Sequence, residues 1–291
     1  MLSKILVWKK SLITMVSLIV LIILAELPSD LRSEEMKENG IDPEMTIKGQ
    51  DILRKMATYH GDTEYYKYKK HVFRFKNNWN FLPGLVYRPW VINNQEVQMT
   101  CLIGSDFTNE ALMMDGPSKG EIWGITKKKA YTREKAGAEA VYETHKNREL
   151  WLSCFQFFFE IPFRTADLPF VQYMGIEKVN GVEYLKVFAT WVGMEPSHSY
   201  DQLVFYVNPA NYRLDFCHYT ARDSGWGFFT ATMKWSDYER VAGILEPDTS
   251  LINFGGPNTK FFGSYFDLHD SFIVEKEKYL DGSHGASLIL N

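Results

Sequence analysis

The sequence contains little cysteine. Its 291 residues include three, Cys101, Cys154 and Cys217, which lie far apart and form no CxxC pair. This spacing argues against a structural zinc site. No cysteine lies near Ala25, so the N-terminus lacks the residue that lipid modification would need. An exported chain could pair two of the thiols, or all three could be buried as small apolar side chains.

The usual signatures of catalysis are also missing. The chain has no P-loop and no GxGxxG, GxSxG or HExxH pattern. The nearest metal-like group is Asp267, His269 and Asp270, a pattern that is common by chance on a solvated strand face. His218 on an apolar strand face is typical of a hydrogen-bonded core histidine. We therefore expect no enzyme, no cofactor and no metal site, with a hydrolase based on Asp267 and Asp270 as a minor alternative.

The chain has fewer basic than acidic residues. The formal net charge is −4, and removing residues 1–25 takes away Lys4, Lys9 and Lys10 and no acid, which makes it −7. A nucleic-acid binder needs a basic surface to neutralise phosphates. We therefore expect no nucleic-acid partner.

Long apolar runs are absent except at the N-terminus, where residues 11–25 carry no charge. Fifteen helical residues span roughly 22 Å, which is short of the 30 Å or so of a bilayer core. The run fits the core of a signal peptide, but Ile23 is bulky for a cleavage site after Ala25. Residues 1–25 are therefore predicted to be a cleaved signal or an uncleaved membrane anchor. In both cases the chain is exported, to be soluble in the periplasm or tethered to the inner membrane.

Aromatic residues are abundant, at 15% of the chain, which favours strands. A helix is predicted over 46–61 after a flexible, acidic lead-in over 26–45. Alternating apolar residues predict strands over 65–76 and 96–104, a hairpin over 111–126, two strands within 225–247 that break near Ser236, and a last strand within 260–280. The second predicted helix, residues 144–163, is apolar nearly all round and must be covered by other elements or act as a lid.

Two hairpins are predicted in the middle of the chain. The first covers residues 175–191 and turns at Asn180–Gly181, a pair that accepts positive φ. The second covers 199–220 and turns at Pro209. Alternation predicts that Leu203, Phe205 and Val207 share one face of its first strand. It likewise predicts that Leu214, Phe216 and His218 share one face of its second strand.

The fold class predicted is mainly β with a few helices (α+β). Strands and helices do not alternate, which disfavours a parallel doubly wound sheet. We expect one domain over 46–275, a strongly curved antiparallel sheet with packed or lid helices, followed by a polar tail over 276–291.

The order of these elements resembles a family of uncharacterised exported bacterial proteins related to the outer-membrane lipoprotein carriers LolA and LolB. The resemblance rests on the hairpin pattern Gly175, Glu177, Val179 and Gly181 and on the segment Phe205-Tyr206-Val207-Asn208-Pro209 with Tyr212-Arg213-Leu214. It covers roughly residues 48–275. It implies an open β half-barrel with lid helices and an apolar interior for lipid or acyl chains.

The function expected is a non-enzymatic cell-envelope protein that binds a hydrophobic ligand, a lipid or acyl chain, in an apolar cavity of several hundred Å³. The alternative is a structural or interaction module whose side chains fill the interior. The candidate ligand-binding residues are Phe73, Phe75, Trp151, Phe155, Phe158, Leu203, Phe205 and Phe216.

Overall fold

The computed structural model describes residues 28–77, 89–222 and 227–258. The predictions for residues 1–25, for a strand within 260–280, for Asp267, His269 and Asp270, and for the tail lie outside these residues. The described residues contain four helices: α1 (Glu34–Asn39), α2 (Pro43–His60), α3 (Asp62–Tyr65) and α4 (Lys146–Arg164). The two helices predicted from apolar periodicity are α2 and α4.

In the part of the chain that the structure describes, twelve strands form two antiparallel sheets of six. The first sheet, in the order β1 to β6, contains β1 (Lys70–Asn77), β2 (Gln95–Leu102), β3 (Asn109–Met113), β4 (Ile122–Thr126), β5 (Lys129–Arg133) and β6 (Val141–Tyr142). The second sheet, in the order β12 to β7, contains β7 (Phe170–Val179), β8 (Val182–Thr190), β9 (Gln202–Val207), β10 (Leu214–Thr220), β11 (Thr230–Val241) and β12 (Ile244–Phe254). Within the described residues neither sheet closes on itself, which confirms the predicted open, mainly antiparallel fold.

Helix α4 lies between the two sheets. Leu152 and Phe155 are buried against the first sheet, whereas Ile161 is buried against the second. Trp151 contacts both apolar clusters. The helix is apolar nearly all round because it has two sheets to pack against, so no solvated face is needed.

Helix α2 packs on the second sheet. The side chain of Asp42 accepts hydrogen bonds from the first-turn N–H groups, Pro43 follows at the first helical position, and Gly61 ends the helix with φ 93°. Leu53 and Met56 enter the core of the second sheet. Gly49 allows close contact, since a Cβ there would lie 2.8 Å from Val171 Cγ1.

The segment predicted as a flexible lead-in, 26–45, differs from that expectation over its described part. Residues 34–39 form α1, Ser33 caps it, and Met36 is buried on the outer face of the second sheet. Leu31 N–H donates to Gln202 Oε1 at 2.8 Å. The acidic composition suggested disorder, but tertiary contacts to the second sheet order the segment.

One bulge and one unbroken strand correct the predicted strand details. The register between β9 and β10 shifts between Leu214 and Phe216, so Phe216 pairs with Tyr206 and Cys217 with Phe205. The break predicted near Ser236 is absent, because β11 continues to Val241 and accommodates Asp237 at φ 55°. The turn lies instead at Ala242–Gly243, which both have positive φ.

Candidate apolar site between helix α4 and the sheets

The predicted ligand-binding residues separate into three groups. Phe73, Phe75 and Phe155 pack together on the first-sheet side of α4. Leu203 and Phe205 are buried on the second-sheet side, where Phe158 packs against their cluster. Trp151 contacts both groups, so seven of the eight residues belong to α4 or lie on the two sides of it.

Phe216 is the exception, and the predicted sharing of a face by Leu214, Phe216 and His218 is wrong. Phe216 packs with Tyr184 and Tyr206 on the outer face of the second sheet, opposite Phe205. The cause is the bulge after Leu214, which reverses the alternation for the rest of β10.

The polar contacts of α4 run to the first sheet and to α3. Asn109 of β3 donates through Nδ2 to Leu152 O at 3.0 Å and to Gln156 Oε1 at 2.9 Å. Tyr65 of α3 donates to Glu160 Oε1 at 2.7 Å. Arg164 pairs with Glu160 and donates to Ser105 O at 2.8 Å. Buried polar atoms that are hydrogen-bonded in this way fix the helix in one position.

The ring contacts described between α4 and the second-sheet side are apolar, and the Cys154 thiol of α4 adds an electrostatic interaction with Tyr219 of β10. The ring of Phe158 lies 5.7 Å from that of Tyr219, and the ring of Phe157 lies 5.8 Å from that of Trp191. Ile161 enters the core formed with α2. Pro162 has no N–H, so the helical hydrogen bond to the C=O of Phe158 is missing at this point. We call the surface between Phe157, Phe158 and Ile161 and the second sheet the apolar seam.

A small cavity lies at one end of the apolar seam. Its volume is about 10 Å³, which is about what a single water molecule needs. Phe158, Phe159 and Pro162 line it from α4, with Trp235 and Tyr238 facing them from β11. This cavity is far smaller than the several hundred Å³ expected from the sequence for a ligand site.

Two buried histidines also line this cavity, with opposite electrostatics. His60 accepts from Leu214 N–H through Nε2 at 3.1 Å and contacts Leu245 O through Nδ1 at 3.2 Å. Burial lowers its pKa to about 4. Burial also acts to lower the pKa of His71, but Glu246, 3.0 Å from its Nε2, outweighs burial and raises it. His60 is therefore neutral at pH 7, whereas the carboxylate of Glu246 can balance a positive charge on His71.

None of the three cysteines is in a disulfide. Burial raises the pKa of Cys101 and of Cys217 well above the ordinary range, so these two are poor nucleophiles. Cys154 is half-buried on α4. The disulfide that the sequence allowed is therefore not formed, and two of the three thiols are buried.

His218 is hydrogen-bonded as predicted. Its Nδ1 lies 3.1 Å from Ala231 O and 3.0 Å from Thr232 Oγ1. Burial lowers its pKa to about 4. Among residues 28–77, 89–222 and 227–258, no group of three His, Cys, Asp or Glu side chains is placed to hold a metal ion. Within the same ranges, no helix is both long enough and apolar enough to cross a bilayer.

Sequence reasoning missed the polar residues that position α4. Gln156 and Glu160 stand four apart in an otherwise apolar helix, which was the available signal for a buried polar stripe. Their partners, Asn109 and Tyr65, are distant in sequence, so only the tertiary structure identifies them.

Comparison with known proteins gives structural matches only. No sequence family and no curated protein matches the chain. Similar crystal structures include a DUF1329 family protein from Desulfovibrio piger (TM-score 0.48, 9% identity, 84% of this chain and 99% of that one). A LolA superfamily protein from Nitrosomonas europaea is also similar (TM-score 0.41, 10% identity, 71% and 85%). The Mycobacterium tuberculosis lipoprotein LppX is a weaker match (TM-score 0.22, 10% identity, 58% and 87%). All three structures are at most 10% identical to this chain and match it with TM-scores below 0.5.

Proposed function

We propose that this chain is a non-enzymatic, exported protein of the cell envelope that binds one slender apolar ligand, of the acyl-chain type, in the apolar seam. The observation that carries the proposal is the asymmetry of α4, which is hydrogen-bonded on the first-sheet side and mainly apolar on the second-sheet side. An apolar ligand could replace the aromatic contacts of Phe157 and Phe158, because these contacts pair no polar group.

The small size of the cavity at the end of the apolar seam is consistent with binding by displacement. The described cavity holds about one water, so a ligand would have to separate α4 from the second sheet. Phe158, Leu203 and Phe205 would then contact the ligand instead of one another, so the apolar area of these side chains would stay buried. Within the predicted ligand-binding set, these three residues are the ones we assign to the ligand.

Residues Phe158 and Phe159 provide a matched test. Both are half-buried neighbours on α4, but Phe158 faces Tyr219 of the second sheet and Phe159 lies 3.6 Å from Phe73 of the first. Uptake of Nile red by the folded protein, followed by fluorescence, should weaken in Phe158→Gln because bound ligand would desolvate the amide. Phe159→Gln should retain uptake. Equal uptake by wild type and a folded Phe158→Gln variant would overturn the assignment.

The second candidate function is a structural or interaction module with a filled core, and the water-sized cavity favours it. Native mass spectrometry of protein isolated from a bacterial envelope, followed by organic extraction, separates the two. A co-purifying lipid or acyl chain supports the carrier. A clean apo mass together with no Nile red uptake supports the filled module.

A further inference from the structure

Three exposed apolar side chains lie at one end of the second sheet. Trp191 and Val192 directly follow β8, and Phe228 lies two residues before β11; they are 39%, 63% and 46% exposed. The β8–β9 connection and the β10–β11 connection leave the sheet at the same end. The strand ends that they join are paired there, Thr190 with Gln202 and Thr220 with Thr230. We call this surface the Trp191 end.

The N-terminal segment is fastened to the same end. Ser29 N–H donates to Gly227 O at 3.0 Å, next to Phe228. Arg222 donates to Ser29 Oγ at 3.0 Å. Arg32 pairs with Glu195 at 2.6 Å, in the connection that begins with Trp191. The chain therefore enters the described fold at the Trp191 end.

The distance along the chain from this point to the apolar N-terminal run is short. The run covers residues 11–25, four residues before Ser29. Four fully extended residues span at most about 14 Å. If the run lies in a bilayer, the Trp191 end is held close to the surface of that bilayer and cannot turn away from it.

We propose that residues 1–25 are retained as an anchor and that the Trp191 end rests in the headgroup region of the same membrane. Its side chains suit this location, because Trp is enriched at membrane interfaces and apolar Val and Phe side chains gain by leaving water. Ile23, bulky for a cleavage site, is consistent with retention. Trp191 also contacts Phe157 of α4, so the membrane would border the apolar seam.

The test uses the full 291-residue chain reconstituted in vesicles of phosphatidylethanolamine and phosphatidylglycerol. A photoreactive benzophenone amino acid is placed at Val192 or, as matched control, at Val182, which is 47% exposed at the opposite end of the same strand. Mass spectrometry should find lipid adducts at position 192 and none at position 182. Melting temperatures near that of wild type show that both variants are folded.

Equal lipid adducts at the two positions, no adduct at 192, or adducts at 192 only to another copy of the chain would overturn the proposal. No added ligand is required. The result is therefore independent of whether the apolar seam binds one.

Discussion

His71 of β1 lies 3.0 Å from Glu246 of β12, and this buried ion pair joins the first sheet to the second. Both side chains are at most 9% exposed. The pair lines the same cavity as α4 and His60. Tyr65 and Phe73 flank the imidazole ring, at 5.7 Å and 5.1 Å between centroids. The contact between the two sheets is therefore electrostatic at this point and sensitive to pH.

The first prediction concerns this pair. Glu246→Gln should destabilise the protein by about 1–3 kcal/mol, since it leaves a buried imidazole without its carboxylate. The folded pKa of His71 is raised, so the pair stabilises fully below the unfolded value of about 6.5. That stabilisation is lost as pH rises through the folded pKa. Urea unfolding should therefore show a larger loss at pH 6 than at pH 9.

An exposed pair serves as the control. Glu96 lies 3.5 Å from Lys76, with both side chains at least one-third exposed. Glu96→Gln should change stability by less than about 1 kcal/mol. A Glu246→Gln loss that does not depend on pH would contradict the electrostatic account.

The second prediction concerns His60. Its folded pKa is about 4, so between pH 6.5 and that value the unfolded chain binds a proton that the folded chain does not. Stability should fall as pH decreases in this window, by about 2 kcal/mol at pH 5. His60→Gln keeps one acceptor for Leu214 N–H and one donor for Leu245 O and should remove this part of the decrease. Urea unfolding at pH 7 and pH 5 measures it, and an unchanged pH dependence would refute the assignment.

The third prediction concerns Gly49 in helix α2. An Ala at an exposed helical position is normally more stabilising than Gly by about 1 kcal/mol. Here a Cβ would lie 2.8 Å from Val171 Cγ1 and 2.9 Å from Tyr173 N. Gly49→Ala should therefore destabilise by about 1–3 kcal/mol through overpacking. Ile47→Ala, at an exposed site of the same helix, should change stability by about 0.5 kcal/mol or less. Thermal unfolding of the wild type and the two variants measures both changes in stability.

The fourth prediction concerns a row across the first sheet. Gly124 pairs with Glu110 on one side and Tyr131 on the other, and the Tyr131 hydroxyl donates across it to Glu110 Oε1 at 2.7 Å. Burial raises the pKa of Glu110 to about 6. A Cβ at Gly124 would overlap the Tyr131 ring. Gly124→Ala should cost about 1–3 kcal/mol.

A double-mutant cycle checks that cause. In a Tyr131→Ala background the ring is gone, so Gly124→Ala should cost less than in wild type. Equal costs in both backgrounds would show that the ring and the glycine are not coupled.

Apolar periodicity predicted the elements well, because it depends on near neighbours in sequence. Helix α4 and the hairpin at Asn180–Gly181 lie where the pattern placed them, with φ 50° and 85° at the turn. Phe216 was assigned to the inner face because alternation assumes an unbroken strand. The bulge after Leu214 gives no clear signal in the sequence and reverses that face. The candidate site could be predicted only in part for the same reason. The sequence indicated that other elements must pack against α4, but it did not show that a sheet lies on each side of the helix.

The sequence by itself determined the class of this protein: β-rich, acidic and poor in cysteine, with an apolar N-terminal run and two helices of known position. These properties follow from composition and from spacing within a few residues. The tertiary structure decided that two sheets enclose α4, that hydrogen bonds hold it to one sheet and apolar contacts to the other, and that Ser29 meets the Trp191 end. These relationships join residues 43 to 198 positions apart, and only the folded chain brings such partners within hydrogen-bonding distance.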